Sequence, residues 1–248
     1  MNVFVSGGSR GIGRAIALRL ARDGAKRVAI GYFRSDSAAE RTAEDLRALG
    51  AEPALVRGNI GSERVLEEVR ALGALDVLVH NAASGVSVGA LEASGKHWDW
   101  TLNTNARALL QLAQVAAPQM PDGSSIVAIS SLGAQRVLAN YTLVGTSKAA
   151  LEALVRYLAV ELAPRVRVNA VSGGVVETEA LDHFPNRDEM LAAGRANPVG
   201  RMVAPEDVAG AVAFLCSPDA AMVRGQTLVV DGGFSLLVGS PRLDTDPG

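Results

Sequence analysis

Residues 3–20 restrict what this chain can fold into more than any other stretch. Val3-Phe4-Val5 has the pattern of a short buried strand and runs directly into Ser6-Gly7-Gly8-Ser9-Arg10-Gly11-Ile12-Gly13. Ala15, Ile16, Leu18 and Leu20 then mark one face of an amphipathic helix. Strand, glycine turn and helix in immediate succession is the context of a dinucleotide-binding turn. Glycines let the backbone approach a pyrophosphate, which rests on the positive end of the helix. The spacing of Gly7, Gly11 and Gly13 reads G-x-x-x-G-x-G, not the commoner G-x-G-x-x-G. A tight turn that binds nothing is the plain alternative, but glycines this dense destabilise a chain unless something requires them.

The same alternation continues. Further strand patterns stand at 28–32, 53–57, 75–79, 124–129, 166–171 and 226–230, most of them separated by helical periodicity. The helices expected are 37–50, one capped by Ser62 with Val65, Leu66, Val69 and Leu72 inward, one from His97 to about Ala117, one through Lys148, and one opening at Pro205. This predicts an α/β fold, a doubly wound parallel sheet with helices on both faces, whose ligands bind at the carboxyl ends of the strands. With neither repeats nor a linker-like break, 1–239 reads as one domain. Residues 179–203 hold two prolines, mixed charge and poor periodicity, and read as a lid over substrate that is partly helical at 187–195; 240–248 reads as a polar tail.

With 48% apolar and 20% charged residues the chain is globular in type, and a formal charge of −2 gives no general attraction to nucleic acid or anionic membrane. The single Cys216 cannot form an internal disulfide, and its apolar setting suggests a buried thiol. With no signal-peptide pattern and no membrane-length apolar run, a cytoplasmic protein is expected.

Several residues at the strand ends carry chemistry. After the second strand an NAD-selective site would place an acid on the ribose hydroxyls; Arg34 and Ser35 stand there instead, with Arg10 able to approach from the glycine turn. Two cations and a hydroxyl suit a 2′-phosphate, so NADPH is the expected cofactor; Arg34 as a solvated loop residue is the alternative. Asn59 is placed either to touch an adenine edge or simply to turn the chain. Asn81 ends the fourth strand and Ser131 the fifth. Asn105 interrupts a helix at a cost in propensity, which suggests a polar task. Trp98 and Trp100 read as core more readily than as a substrate wall. Tyr141 and Lys148 lie seven residues apart, so on a helix they share one side, ~10 Å apart along the axis. A phenol and an ammonium facing one space can act together on a carbonyl oxygen, and the lysine charge is expected to lower the tyrosine pKa.

Together the 6–13 turn, His80-Asn81-Ala82-Ala83, Asn105, Ser131, Lys148, the loop from Asn169 to Thr178 and Asp231-Gly232-Gly233 resemble the short-chain dehydrogenase/reductase family over nearly the full length. The resemblance implies a Rossmann-type sheet of seven parallel strands, a nicotinamide cofactor and a homodimer or homotetramer. Along the cofactor it places Gly7, Ser9, Arg10, Gly11, Ile12, Gly13, Arg34, Ser35, Asn59, Ile60, Asn81, Ala82, Lys148, Gly174, Val176 and Thr178; at the reaction centre it places Tyr141, Lys148, Ser131 and Asn105.

One departure is informative. The family's carbonyl reductases carry the tyrosine four residues before the lysine, where this chain has Val144. Tyr141 in a Tyr-x6-Lys spacing is similar to the family's enoyl reductases, most of all the NADPH-dependent enoyl-acyl-carrier-protein reductase III group. This implies reduction of the carbon–carbon double bond of a trans-2-enoyl thioester, on acyl carrier protein or coenzyme A, in fatty-acid or polyketide-like biosynthesis. The alternatives are a ketoreductase or an enoyl reductase of specialised metabolism, and, from another class, a non-catalytic NADPH-binding regulator. Phe184, Met190 and Leu191 would line an acyl channel or pack in the core, and Arg187, Arg195 and Arg201 are candidates for carrier-protein docking.

Overall fold

The computed structural model describes residues 1–178 and 187–237. Phe184 and the rest of the lid expected at 179–186, and the tail expected at 240–248, lie outside the described residues.

Seven strands form one parallel sheet: β1 (Asn2–Ser6), β2 (Arg27–Tyr32), β3 (Glu52–Arg57), β4 (Val77–His80), β5 (Ser124–Ser131), β6 (Val166–Gly173) and β7 (Thr227–Val230). Their order is β3-β2-β1-β4-β5-β6-β7, in the parallel sheet that the strand and helix alternation predicts. Side chains alternate across each strand, so Val3 and Val5 face one layer while Phe4 faces the other. The first layer holds α1 (Gly11–Arg22), α2 (Asp36–Ala48) and α8 (Pro205–Cys216); the second holds α3 (Glu63–Ala71), α5 (Ala108–Ala116) and α6 (Thr142–Glu161). Because both faces are covered, the central strands are buried along most of their length and mainly apolar in their middles, and each fully buried side chain such as Phe4 contributes ~1.5–3 kcal/mol. Strand order reverses direction between β1 and β4, which opens a crevice at Ser6 and His80.

The structure departs from the sequence reading in three places. The helix expected from 97 to 117 is interrupted: α4 (Gly95–Leu102) passes into a π-helical turn, Asn103–Arg107, before α5 begins. Trp98 and Trp100 are not core residues; they stand 44% and 45% exposed on α4. The one buried residue of α4 is Thr101. Ser62 does occupy the position before α3, but its hydroxyl donates to the Asn59 carbonyl oxygen (2.8 Å) instead of accepting from the helix. The helix expected at 187–195 is present as α7 (Arg187–Arg195), and Val176 pairs with Val203 in a short parallel bridge that joins the two flanks of the lid region. Among the described residues no helix is long and apolar enough to cross a membrane.

Candidate active site

The glycine turn is held by main-chain contacts. Gly7 and Gly11 have φ of 66° and 53°, the left-handed region that favours glycine. At Gly13 an added Cβ would collide with the Gly7 carbonyl oxygen and lie 2.5 Å from Asn81 Nδ2. Asn81 closes the turn from β4, donating from Nδ2 to the carbonyl oxygens of Ser6 (3.2 Å) and Gly7 (3.1 Å). A glycine-only cradle, opening onto the N-terminus of a twelve-residue helix whose first turn carries no acid, fits a pyrophosphate. Beside it, Ser9, Arg10, Gly11, Arg14, Ser35, Ala38 and Arg41 line a cleft of about 530 Å³, together with Glu44 and Asp45. Ser35 caps α2 by accepting from the Ala38 amide (3.3 Å), and Arg34 stacks its guanidinium over Phe33, 5.4 Å from the ring centre. Ser35 lines this cleft, and Arg34 is not among its lining residues. Thr178, from the loop after β6, lies across the turn, its Cγ2 3.4 Å from where a Gly11 Cβ would sit.

The other cofactor candidates divide. Ser9 and Ala82 sit at the turn, Ser9 through its carbonyl to Thr42 Oγ1 and Ala82 through its amide to Ser6 Oγ, each at 3.0 Å. Ile12 packs partly against the first layer and Ile60 is buried in the second. Asn59 makes its own turn, Oδ1 accepting from the Gly61 amide at 3.2 Å, so its turning role is the one observed. Gly174 runs close against Asp231, and Val176 is buried in its bridge to Val203.

At the β1–β4 crevice a buried polar chain replaces apolar packing. Ser6 Oγ accepts from the amides of Asn81 and Ala82, both at 3.0 Å, which leaves its proton for His80 Nδ1 at 3.1 Å. His80 Nε2 then donates to the Asn105 carbonyl oxygen, also at 3.1 Å. Burial, reinforced by the Lys148 charge, lowers the His80 pKa to about 4, so the ring is neutral and its two nitrogens have these distinct roles. The π turn around Asn105 loosens the helical ladder and presents this carbonyl. Asn105's side chain bridges Ser84 through Oδ1 (2.8 Å) and Nδ2 (2.9 Å) and donates to Ser147 Oγ (2.8 Å). Its polar task is therefore to fasten the loop after β4 to α6.

Three consecutive residues of β5 meet three residues of the α6 segment. Lys148 Nζ donates to the Ile129 carbonyl oxygen (2.7 Å), Ser130 Oγ donates to Glu152 Oε1 (2.6 Å), and Ser131 Oγ lies 3.3 Å from the Tyr141 hydroxyl. Tyr141 is the residue before the helix, and Lys148 lies buried within it. Its ring lies flat on Gly133, where a Cβ would come within 2.5 Å of it. Val144, in the position of the more usual tyrosine, is buried with its Cγ2 against Gly85.

The expected lowering of the Tyr141 pKa is not observed. Burial raises it, the Ser131 hydrogen bond being the one opposing influence; the Lys148 ammonium is turned to the Ile129 carbonyl. Lys148 itself is lowered to about 8, by burial, against the pull of Glu152. Cys216 is buried and its thiol is pushed up to about 12 by burial, which makes it inert.

From sequence His80 reads as a residue that holds backbone, and it holds the Asn105 carbonyl; sequence reasoning gave no separate role to Ser6, Ser147, Glu152, Arg14 and Arg41. Glu152, a charged residue on the apolar stripe of α6, was a readable signal; the others acquire meaning only through contacts distant in sequence. Of the lid residues, Met190 and Leu191 are half-buried, and Arg201 is already engaged by Asp207 at 2.5 and 2.8 Å.

A nucleotide cradle at the end of one strand and a tyrosine–lysine pair at the end of another, on a singly switched parallel sheet, define an oxidoreductase of the dinucleotide-binding α/β class. Residues 7–235 match the family model described as enoyl-(acyl carrier protein) reductase. A 1-cyclohexenylcarbonyl-CoA reductase of Streptomyces collinus is 35% identical, over 99% of this chain and 90% of the relative. A short-chain dehydrogenase of Burkholderia cenocepacia J2315, solved in complex with NADP, superposes with a TM-score of 0.86 at 33% identity, covering 94% of this chain and 97% of that one. An angucycline C-6 ketoreductase with bound NADP superposes at 0.87 with 30% identity, covering 95% and 96%. The chain belongs to the short-chain dehydrogenase/reductase family.

Proposed function

We propose that this protein is an NADPH-dependent reductase of trans-2-enoyl thioesters. The observation that carries the reading is the placement of Tyr141. Its hydroxyl meets Ser131 one turn before the position where the family's carbonyl reductases keep theirs, and Val144 fills that position with a buried aliphatic group. Hydride delivered to the β-carbon of an enoyl group leaves charge on the thioester oxygen, displaced from the carbon that accepts hydride. A hydroxyl displaced by a helical turn suits that oxygen. The likeness to the enoyl-(acyl carrier protein) reductase family model and to the Streptomyces 1-cyclohexenylcarbonyl-CoA reductase supports the same class.

The glycine cradle would hold the pyrophosphate, and Arg10 and Ser35, which line the adjoining cleft with Arg14 and Arg41, would meet the 2′-phosphate together with Arg34. Asn59, Ile60, Asn81 and Ala82 border the adenosine half, and Gly174, Val176 and Thr178 the nicotinamide end. NADPH supplies the hydride. Lys148 binds the nicotinamide ribose and keeps a positive charge near the reacting oxygen. Tyr141, neutral because burial raises its pKa, donates a hydrogen bond to the developing enolate oxygen, with Ser131 orienting its hydroxyl. Asn105 acts through Ser84 and Ser147 and holds the wall of the site.

The second reading, a ketoreductase acting on a specialised substrate, is favoured by the Ser131–Tyr141 contact, which serves a carbonyl equally well, and by the likeness to the angucycline enzyme. NADPH oxidation with a trans-2-enoyl thioester and, in parallel, a 3-oxoacyl thioester separates the two. Turnover of the enoyl substrate alone supports the proposal; turnover of the 3-oxo substrate alone replaces it with the second reading.

A further inference from the structure

Glu152 lies on α6 one turn after Lys148, 4% exposed, beside Leu151 and Val155, which are fully buried. A carboxylate in such surroundings is costly, and an apolar residue of the same size would pack there more stably. Both its oxygens are engaged by neutral donors: Oε1 by Ser130 Oγ (2.6 Å) and Oε2 by Gln135 Nε2 (2.9 Å). Ser130 lies between the residues that meet Lys148 and Tyr141, and Gln135 follows the short turn after β5. The carboxylate thus joins the end of β5, the loop beside the Tyr141 ring and the lysine helix.

We propose that Glu152 is a positioning residue for the reaction, whose held carboxylate keeps the neighbouring Lys148 ammonium charged and set against the end of β5. The inference rests on the reading of Lys148 given above. Among the described residues, the groups tied to Lys148 are His80 on β4, which is neutral, the Ile129 carbonyl on β5, which accepts its hydrogen bond, and Glu152 one turn along its own helix, the anion acting on it. Burial opposes the lysine charge and Glu152 restores it. Removing that anion while keeping the shape would let Lys148 lose its proton at lower pH, and with it the contact to the cofactor ribose and the positive field at the reacting oxygen.

The chain allows a direct test, because it has three lysines, Lys26, Lys96 and Lys148, among 24 basic residues. With ¹³C-labelled lysine, NMR follows each side chain, and Lys148→Arg identifies the signal of Lys148. In Glu152→Gln the Lys148 titration should move down by about 1 unit, and the alkaline limb of kcat/KM for NADPH oxidation by a trans-2-enoyl thioester should move with it. Glu152→Asp should return both toward the wild-type values. A Glu152 with a merely structural role would lower thermal stability and rate evenly across pH and leave the lysine titration in place; that result overturns the proposal. If the Gln variant does not fold, Glu152→Met, apolar and of similar length, gives the same readout. Turnover that survives in Lys148→Ala would instead overturn the role of Lys148, and the NMR titration would still decide whether Glu152 holds its charge.

Discussion

Between Gly7 and Gly13 the chain meets its neighbours with main-chain atoms, whereas between Ile129 and Glu152 it meets them with side chains. In the first region selectivity comes from the absence of Cβ atoms, and the donors offered to a ligand are amides at a helix end. In the second, a lysine, a carboxylate, a tyrosine and two serines interlock in a largely buried seam. The backbone region can bind many nucleotides with little dependence on pH. The side-chain region can discriminate between reactions, but its charges must be maintained against burial. Binding and chemistry are therefore open to separate perturbation.

The sharpest division should come from Tyr141→Phe, which removes one hydroxyl from the seam and nothing from the cradle. Turnover should fall ~100- to 1,000-fold, about 2.7–4 kcal/mol of transition-state stabilisation, with NADPH affinity by fluorescence titration nearly unchanged. Unchanged turnover would remove Tyr141 from the reaction. The reverse pattern is expected of Gly13→Ala, whose methyl has no room beside Gly7 and Asn81. A loss of ~1–3 kcal/mol in urea unfolding is expected, with NADPH binding weakened in whatever folds.

His80 joins the two regions, and its effect depends on pH. Its folded pKa of about 4 lies below the unperturbed 6.5, so between these values the unfolded chain holds the extra proton. Stability is full above pH 6.5 and falls as pH drops toward 4, by ~3 kcal/mol. His80→Asn should remove this part of the slope in urea unfolding at pH 7.5 and 4.5; equal slopes would mean the ring is not neutral in the fold. The smallest effect is expected at the exposed rim. Arg34→Ala should weaken NADPH ~10-fold, worth ~1.4 kcal/mol, and leave NADH alone, which competitive binding would show.

The same contrast explains what could be read in advance. The glycine turn and the parallel sheet follow from local pattern, and the structure has them where the pattern places them; Lys148 is on the expected helix, whereas Tyr141 stands just before its first turn. What Asn105 and Glu152 do depended on partners 21 to 42 and 17 to 22 residues away, which no local pattern displays. The Trp98 and Trp100 side chains misled because size suggests burial, while the periodicity of α4 turns them outward. The Tyr141 pKa goes the other way because burial raises it, and the sequence shows that a lysine is near in the chain but not how far the phenol is enclosed.

The π-helical turn at Asn103–Arg107 also bears on how this chain can be recombined with its relatives. A π turn accommodates about one residue more than the α-helical turn it replaces. A chimera whose junction falls inside it, with a parent of ordinary helical register, would gain or lose one residue of phase, ~100° of rotation. Everything downstream on α5 would then present the wrong side to the sheet, Leu109 and Leu112 first. Junctions in the loop before β5, at 120–123, carry no such penalty, so segment exchange among these reductases should respect that boundary.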